Sequence, residues 1–206
     1  MNAILDNCSI GILAGGEGRR VNGADKGLLM VNGRPLIEYS LAALNEQLPT
    51  APVYVSANRN LEQYQCYGAV VTDQHLLDQT PFAGPLMGIA ALLEQTTSDY
   101  LLIVPCDCPR LPPDLAARLA QSLLNDPANA PTHEIAVVHD GQRQQNAVLL
   151  VNKSVLGHIS RQLHHGQTAI YALLESVNTI AVDFSDWPAD YWNANTVEQL
   201  EQLTQP

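Results

Sequence analysis

The run Leu13-Ala14-Gly15-Gly16-Glu17-Gly18-Arg19-Arg20, followed by Asp25-Lys26-Gly27, holds the residue types that handle phosphate. Glycines at 15, 16 and 18 let backbone N–H groups converge on an anion without interference from Cβ atoms. Lys26 supplies a flexible ammonium for triphosphate oxygens or a developing pyrophosphate, Arg20 adds bidentate contacts, and Arg19 is secondary. Asp25 either orients Lys26 through a charge pair or makes an ordinary surface pair. Two common phosphate motifs do not fit. A dinucleotide fingerprint begun at Gly16 and Gly18 ends on Val21, and a P-loop reading of Gly18 and Gly23 meets Ala24 where lysine is required.

A second group of residues could complement the loop. Asp107 follows the apolar run Tyr100-Leu101-Leu102-Ile103-Val104 and stands between Pro105 and Pro109, which fix its turn. A carboxylate at the tip of a buried strand needs a partner. That partner is a structural hydrogen bond or, opposite a phosphate loop, magnesium, which takes one or two carboxylates together with phosphate oxygens. Asn193 and Asn195 form an Asn-x-Asn pair whose side chains point the same way on an extended segment. Cys8, Cys66, Cys106 and Cys108 are too few and too scattered for a disulfide framework, and the Cys106/Cys108 pair has no second ligand pair at zinc spacing. Buried or semi-buried free thiols are expected. His164 and His165 are adjacent, so they face different sides of a helix end. No Ser-His-Asp or Cys-His constellation stands out.

These residues must be positioned by the elements around them. Apolar runs at 9–14, 52–56, 69–72 and 100–104 alternate with amphipathic stretches at 35–47, 60–66, 85–95 and 112–124, which predicts a mostly parallel sheet flanked by helices. Ligands of open α/β sheets bind at the carboxyl ends of the strands. Residues 15–26, Ser56 to Arg59, Asp73 and Asp107 all fall on that rim. The second half reads differently: 135–139 and 147–151 form two strands joined through Asp140-Gly141, an antiparallel element beside the parallel sheet. Helices at 153–163 and 168–175, a strand at 178–183 and a last helix capped by Thr196 complete the reading.

With 206 residues and 46% hydrophobic content, the chain can bury one substantial core, and nothing divides it into independent halves. A net charge of −11 disfavours nucleic acid as a partner, so positive charge must be local, as it is at Arg19, Arg20 and Lys26. There is no run of ~18 apolar residues for a membrane span, and the start Met1-Asn2-Ala3-Ile4-Leu5-Asp6 lacks the regions of a signal peptide. A cytoplasmic protein without membrane contact is expected.

Leu-Ala-Gly-Gly-x-Gly-x-Arg, Asp25-Lys26-Gly27-Leu28 and Asn32-Gly33-Arg34-Pro35-Leu36 together resemble the molybdenum cofactor guanylyltransferases, the MobA family of GT-A-like nucleotidyltransferases. The likeness continues through Asn58-Arg59, Asp73, Gly84-Pro85-Leu86, Pro105-Cys106-Asp107-Cys108-Pro109, His139-Asp140-Gly141, Val182-Asp183-Phe184-Ser185-Asp186 and Asn193-Ala194-Asn195-Thr196, nearly the whole chain. It implies a single Rossmann-like, GT-A type domain over 1–206, with a nucleotide half at about 8–125 and an acceptor half at about 126–206. It implies transfer of GMP from GTP to the phosphate of molybdopterin with release of pyrophosphate. It implies Mg²⁺ held by Asp107 with help from Asn195, catalysis by Lys26, Arg20 and Asp107, and nucleotide contacts from Leu13, Ala14, Gly15, Gly16, Gly18, Lys26, Ser56, Asp73 and Asp107. Leu-Ala-Gly-Gly resembles the GTP-using form, and Leu-Ala-Ala-Gly the cytidylyltransferases. Protein partners, by the same likeness, are other cofactor biosynthesis proteins and apoenzyme chaperones. A related cytidylyl- or sugar-phosphate nucleotidyltransferase and a non-catalytic nucleotide- or cofactor-binding protein are the competing readings. The chain departs from the family at Val21-Asn22, where Met-Gly is common, at Ser56, where relatives have asparagine, at Cys108, and at Gln145-Asn146-Ala147.

Overall fold

The apolar run near the start of the chain becomes β1 (Cys8–Leu13), the middle of the parallel part of the sheet. The structure is a computed structural model that describes residues 3–15, 25–74, 84–124 and 133–192. β1 is preceded by one helical turn, α1 (Ala3–Asp6), and pairs in parallel with β4 (Val53–Ser56) and β6 (Tyr100–Pro105). β5 (Ala69–Val71) adds to β4 in the same direction. Beyond β6 the direction reverses. β8 (Gln144–Asn152) runs antiparallel to β6 and to β7 (Ile135–His139), and β9 (Thr179–Asp183) closes the edge parallel to β7. The seven strands lie in the order β5-β4-β1-β6-β8-β7-β9. This is the mostly parallel α/β sheet with an antiparallel element in the second half that the residue pattern predicts.

Side-chain alternation along the strands feeds two apolar layers. Ile10, Ile12, Leu102 and Val104 face one layer, with α2 (Leu36–Gln47) and α5 (Leu115–Leu123). On α5 the buried Leu115, Ala116, Leu119, Ala120 and Leu123 follow the helical period. Leu101 and Ile103 face the other layer, with α4 (Pro85–Gln95), α6 (Leu156–His164) and α7 (Ile170–Ser176). Helix α4 buries Leu86, Met87, Ile89, Leu92 and Leu93, each contributing about 1.5–3 kcal/mol of transfer free energy. Among the described residues no helix is long and apolar enough to cross a membrane.

Differences from the predicted boundaries have local causes. Helix α5 starts at Leu115 rather than 112, because Pro113 bars the preceding residue from helical backbone. The helix expected at 60–66 shrinks to one turn, α3 (Leu61–Tyr64), entered through Asn60 in the left-handed region. Asn32 and Gly33, both at positive φ, turn a small hairpin between β2 (Met30–Val31) and β3 (Arg34–Pro35) that periodicity did not reveal. Strand β8 begins at 144, not 147, and its pairing with β7 shifts between Val137 and Val138. The helix assigned after Thr196 lies outside the described residues.

Candidate active site

Beyond the formal ends of β1, β4 and β6 the backbone continues to pair. Ala14 N–H donates to Ser56 O at 2.9 Å, and Cys106 N–H donates to Leu13 O at 3.1 Å. Leu13, Ala14 and Gly15 are thereby fixed between the tips of β4 and β6. Among the described residues a Cβ at Gly15 would meet Asn58 Nδ2 at 3.7 Å and Ser56 O at 3.8 Å, ordinary contacts. The packing of the described residues therefore does not demand glycine there.

Asp107 lies in the turn after β6, next to Lys26. The Lys26 ammonium is 2.6 Å from Asp107 Oδ2, and both side chains are partly exposed. The turn is held on both sides. Cys108 N–H reaches back to Pro105 O at 3.4 Å, Ser40 Oγ donates to Cys108 O at 2.9 Å, and the Cys108 thiol donates to Trp192 O at 2.8 Å. Burial, and then the charge of Asp107, push the Cys106 and Cys108 thiols well above their ordinary values. Burial likewise raises Cys8 to about 12. These three groups stay protonated and are not nucleophiles. All four cysteines are free, Cys66 being exposed. His164 and His165 are exposed at the end of α6.

Asp25 corrects a sequence expectation. It neither pairs with Lys26 nor sits on the surface: it is buried, Tyr64 Oη donates to its Oδ1, Asn60 Nδ2 donates to its Oδ2 at 3.0 Å, and Arg59 Nε lies 3.5 Å from Oδ2. Three successive residues thus do three separate jobs. Asp25 ties the chain to the segment around α3, Lys26 faces Asp107, and Gly27 fits where a Cβ would come within 2.6 Å of Tyr64 Oη and 3.2 Å of Cys106 Sγ. Burial and the adjacent carboxylate push the Tyr64 phenol far up, so it remains a donor. No local signal marked Tyr64. Asn58 and Arg59 were visible only as part of a motif.

Ser56 and Asp73 end β4 and follow β5 on the same rim. Ser56 is buried beneath α4, its Oγ 2.8 Å from where a Cβ on Gly88 would stand. Asp73 is also buried; its N–H donates to Asn58 Oδ1 at 3.3 Å, while its own Oδ1 has no hydrogen-bond partner among the described residues. Leaving such an oxygen unpaired costs about 1–3 kcal/mol or more, so it is an acceptor in want of a donor. Gly16, Gly18, Arg19, Arg20, Asn193 and Asn195 lie outside the described residues, as do Val21 and Asn22.

A family model for a MobA-like NTP transferase domain matches residues 10–180. The chain belongs to this family of nucleotidyltransferases. It is 39% identical over 194 residues to the molybdenum cofactor guanylyltransferase of Photobacterium profundum, covering 94% of both chains. It is 40% identical over 194 residues to that of Vibrio vulnificus, covering 94% of this chain and 93% of the relative. Its fold is similar to that of the molybdopterin-guanine dinucleotide biosynthesis protein A of Archaeoglobus fulgidus, with a TM-score of 0.68 over 95% of this chain and 96% of that one. At 19% identity, that likeness concerns the fold alone.

Family membership implies a divalent metal, and the donor chemistry fits one. Among the described residues no three His, Cys, Asp or Glu side chains gather as a metal-holding group, so an all-protein cage is not built there. One partly exposed carboxylate at a strand tip beside a lysine suits a cation shared with nucleotide phosphates.

Proposed function

We propose that the chain transfers GMP from GTP to the terminal phosphate of molybdopterin, releasing pyrophosphate and forming the guanine dinucleotide cofactor. The observation that carries this reading is the Lys26–Asp107 pair: a cation and a carboxylate 81 positions apart in sequence meet at the carboxyl rim of the parallel strands. Asp73, with its unpaired buried oxygen, supplies an acceptor for the N1–H and N2–H donors of guanine. Leu13, Ala14 and Gly15 offer backbone to the nucleotide, Ser56 stands behind them, and Gly16 and Gly18 carry N–H groups for its phosphates.

In the reaction, a phosphate oxygen of the acceptor forms a bond to the α-phosphorus of GTP, and the bond from that phosphorus to the bridging oxygen of pyrophosphate breaks. The acceptor's second pKa near ~6 leaves it largely dianionic at neutral pH, so no side chain need act as general base. The chain's task reduces to alignment and charge neutralisation. Lys26 and Arg20 hold the triphosphate tail and the departing pyrophosphate. Asp107, with Asn195, would hold Mg²⁺, which supplies Lewis-acid charge to the phosphoryl oxygens when bound. Trp192, three residues before Asn195, is hydrogen-bonded to the neighbour of Asp107, which supports that pairing. On this reading residues 8–125 serve the nucleotide and 126–206 the acceptor. The reaction belongs in the cytoplasm, where cofactor biosynthesis proteins and apoenzyme chaperones are the natural partners.

The test supplies GTP, CTP or ATP with Mg²⁺ and molybdopterin, and measures pyrophosphate release and nucleotide attachment. Release with GTP is expected. No release with GTP, or release with CTP only, overturns the reading in favour of a carrier or a cytidylyltransferase.

A further inference from the structure

Lys26 and Asp107 have different ligands in the proposed reaction, a triphosphate and a metal, yet in the structure each is the other's counterion, with Nζ 2.6 Å from Oδ2. A carboxylate that bears an ammonium is a poor seat for a divalent cation. Magnesium sits about 2.0–2.1 Å from a carboxylate oxygen, so on either oxygen of one carboxyl group it lies within a few ångströms of that ammonium, and like charges at such range repel. Lys26 and the metal are therefore competitors for one group.

The surroundings let Lys26 release Asp107 without disturbing the fold. One buried hydroxyl grips the backbone on both sides of Lys26: Tyr64 Oη donates to Asp25 Oδ1 and stands 2.6 Å from where a Cβ on Gly27 would be. The Asp25 carboxylate, the nearest alternative for the lysine charge, is engaged by Tyr64 and Asn60, with Arg59 Nε 3.5 Å away. The Asp107 turn is held separately, through the bonds that Cys108 makes with Ser40 and Trp192. The link between these two anchored segments is the Lys26 side chain, an ammonium on a flexible four-carbon stem. Lys26 and Asp107 reach water at 24% and 17% exposure, so rotation of that stem opens the pair. A partly exposed pair contributes little, and a triphosphate, with several charged oxygens, is the stronger partner for the ammonium.

We propose that Lys26 is an exchangeable plug on Asp107: it neutralises the carboxylate, keeps divalent cations off it, and releases it when a triphosphate takes the ammonium. Nucleotide and metal then bind with positive coupling, because the nucleotide removes the competitor of the metal. The proposal rests on the metal role that the guanylyltransferase reading gives to Asp107.

Binding of Mn²⁺ to the nucleotide-free protein, followed by loss of the electron paramagnetic resonance signal of the free ion, tests the plug without turnover. Asp107→Asn, alone and combined with Lys26→Met, gives the background from the acidic surface. Above that background Lys26→Met should bind Mn²⁺ about tenfold more tightly than the parent, whereas Lys26→Arg, which keeps the charge, should stay within about twofold. GTP binding measured by calorimetry in EDTA should move the other way, weakening about tenfold in Lys26→Met. A merely structural lysine cannot produce opposite shifts, since a damaged site weakens both. Mn²⁺ affinity in Lys26→Met at or below that of the parent overturns the plug and leaves the guanylyltransferase reading standing. GTP binding that Lys26→Met does not weaken also overturns it, by taking the triphosphate away from Lys26. Mn²⁺ binding that Asp107→Asn does not alter in the Lys26→Met background removes Asp107 from the metal, and the plug falls together with that part of the reading.

Discussion

The turn that carries Asp107 is held from outside by Ser40, Trp192 and Lys26, whereas the loop after β7 is held largely by near neighbours, through the Asp140 carboxylate, the Asp140 N–H to Arg143 O and the Gly141 N–H to His139 Nδ1. Around Asp107 the side-chain braces come from distant parts of the chain, and the two flanking thiols are buried. Around Asp140 the braces are local, and Gln142, Arg143 and Gln144 are exposed. On the proposed reading the Asp107 turn is the nucleotide side, and its braces organise it before ligand arrives, as electrostatic catalysis requires. On the same reading the Asp140 loop belongs to the acceptor side, and its exposed side chains can change without disturbing the Asp107 turn.

The largest expected effect tests the braced side. Asp107→Ala should lower kcat for pyrophosphate release by ~10²–10³ or more, with the circular dichroism spectrum and melting temperature nearly unchanged. Retained activity would remove Asp107 from the reaction. Next comes the tether behind Lys26. Asp25→Ala removes hydrogen bonds to a charged group worth about 1.5–3 kcal/mol, so kcat should fall roughly 10- to 100-fold and the melting temperature should drop. Tyr64→Phe, which leaves Asn60 and Arg59 on the carboxylate, should do the same more weakly. If Asp25→Ala melts early yet keeps the parent kcat, the tether stabilises the fold without placing Lys26.

A pair of glycine substitutions separates packing from ligand room. Gly15→Ala should leave the melting temperature unchanged while raising the KM for GTP about tenfold, since one methyl group in a fitted pocket carries that much discrimination. Gly27→Ala should instead lose about 1–3 kcal/mol of stability in a denaturant titration, because its Cβ meets Tyr64 Oη and Cys106 Sγ. Equal stability losses in the two variants would erase the distinction.

The smallest effect belongs to the locally braced side. Burial alone would raise the Asp140 carboxyl, but the N–H groups of Arg143 and Gln142, the Gln145 amide and the Arg143 charge together hold it below its ordinary 3.8. A carboxyl lowered in the folded state contributes stability above its unfolded value and loses it as pH falls through the folded one. Amide exchange at Gln142 and Arg143 should therefore accelerate below pH 3.8, after correction for intrinsic rates. In Asp140→Asn that acceleration should be absent.

Much of this molecule was legible in order along the chain. Strand and helix alternation and the reversal after residue 125 follow from spacings of two, three and four residues, which neighbours enforce. Less regular features escaped that reading: the Asn32-Gly33 hairpin, the one-turn α3, and the bulge in β8. They are too short to show a period. The partner of Asp25 was misread for a different reason. Its adjacent lysine is the nearest cation in sequence, yet Lys26 spends its charge on Asp107, 81 positions away, and Asp25 turns to Tyr64, 39 positions away. Residue types alone determined which groups could do the chemistry. Which of them meet was decided by the packed sheet, because a carboxylate's partner is set by what folding brings within about 3 Å of it and what burial removes from water.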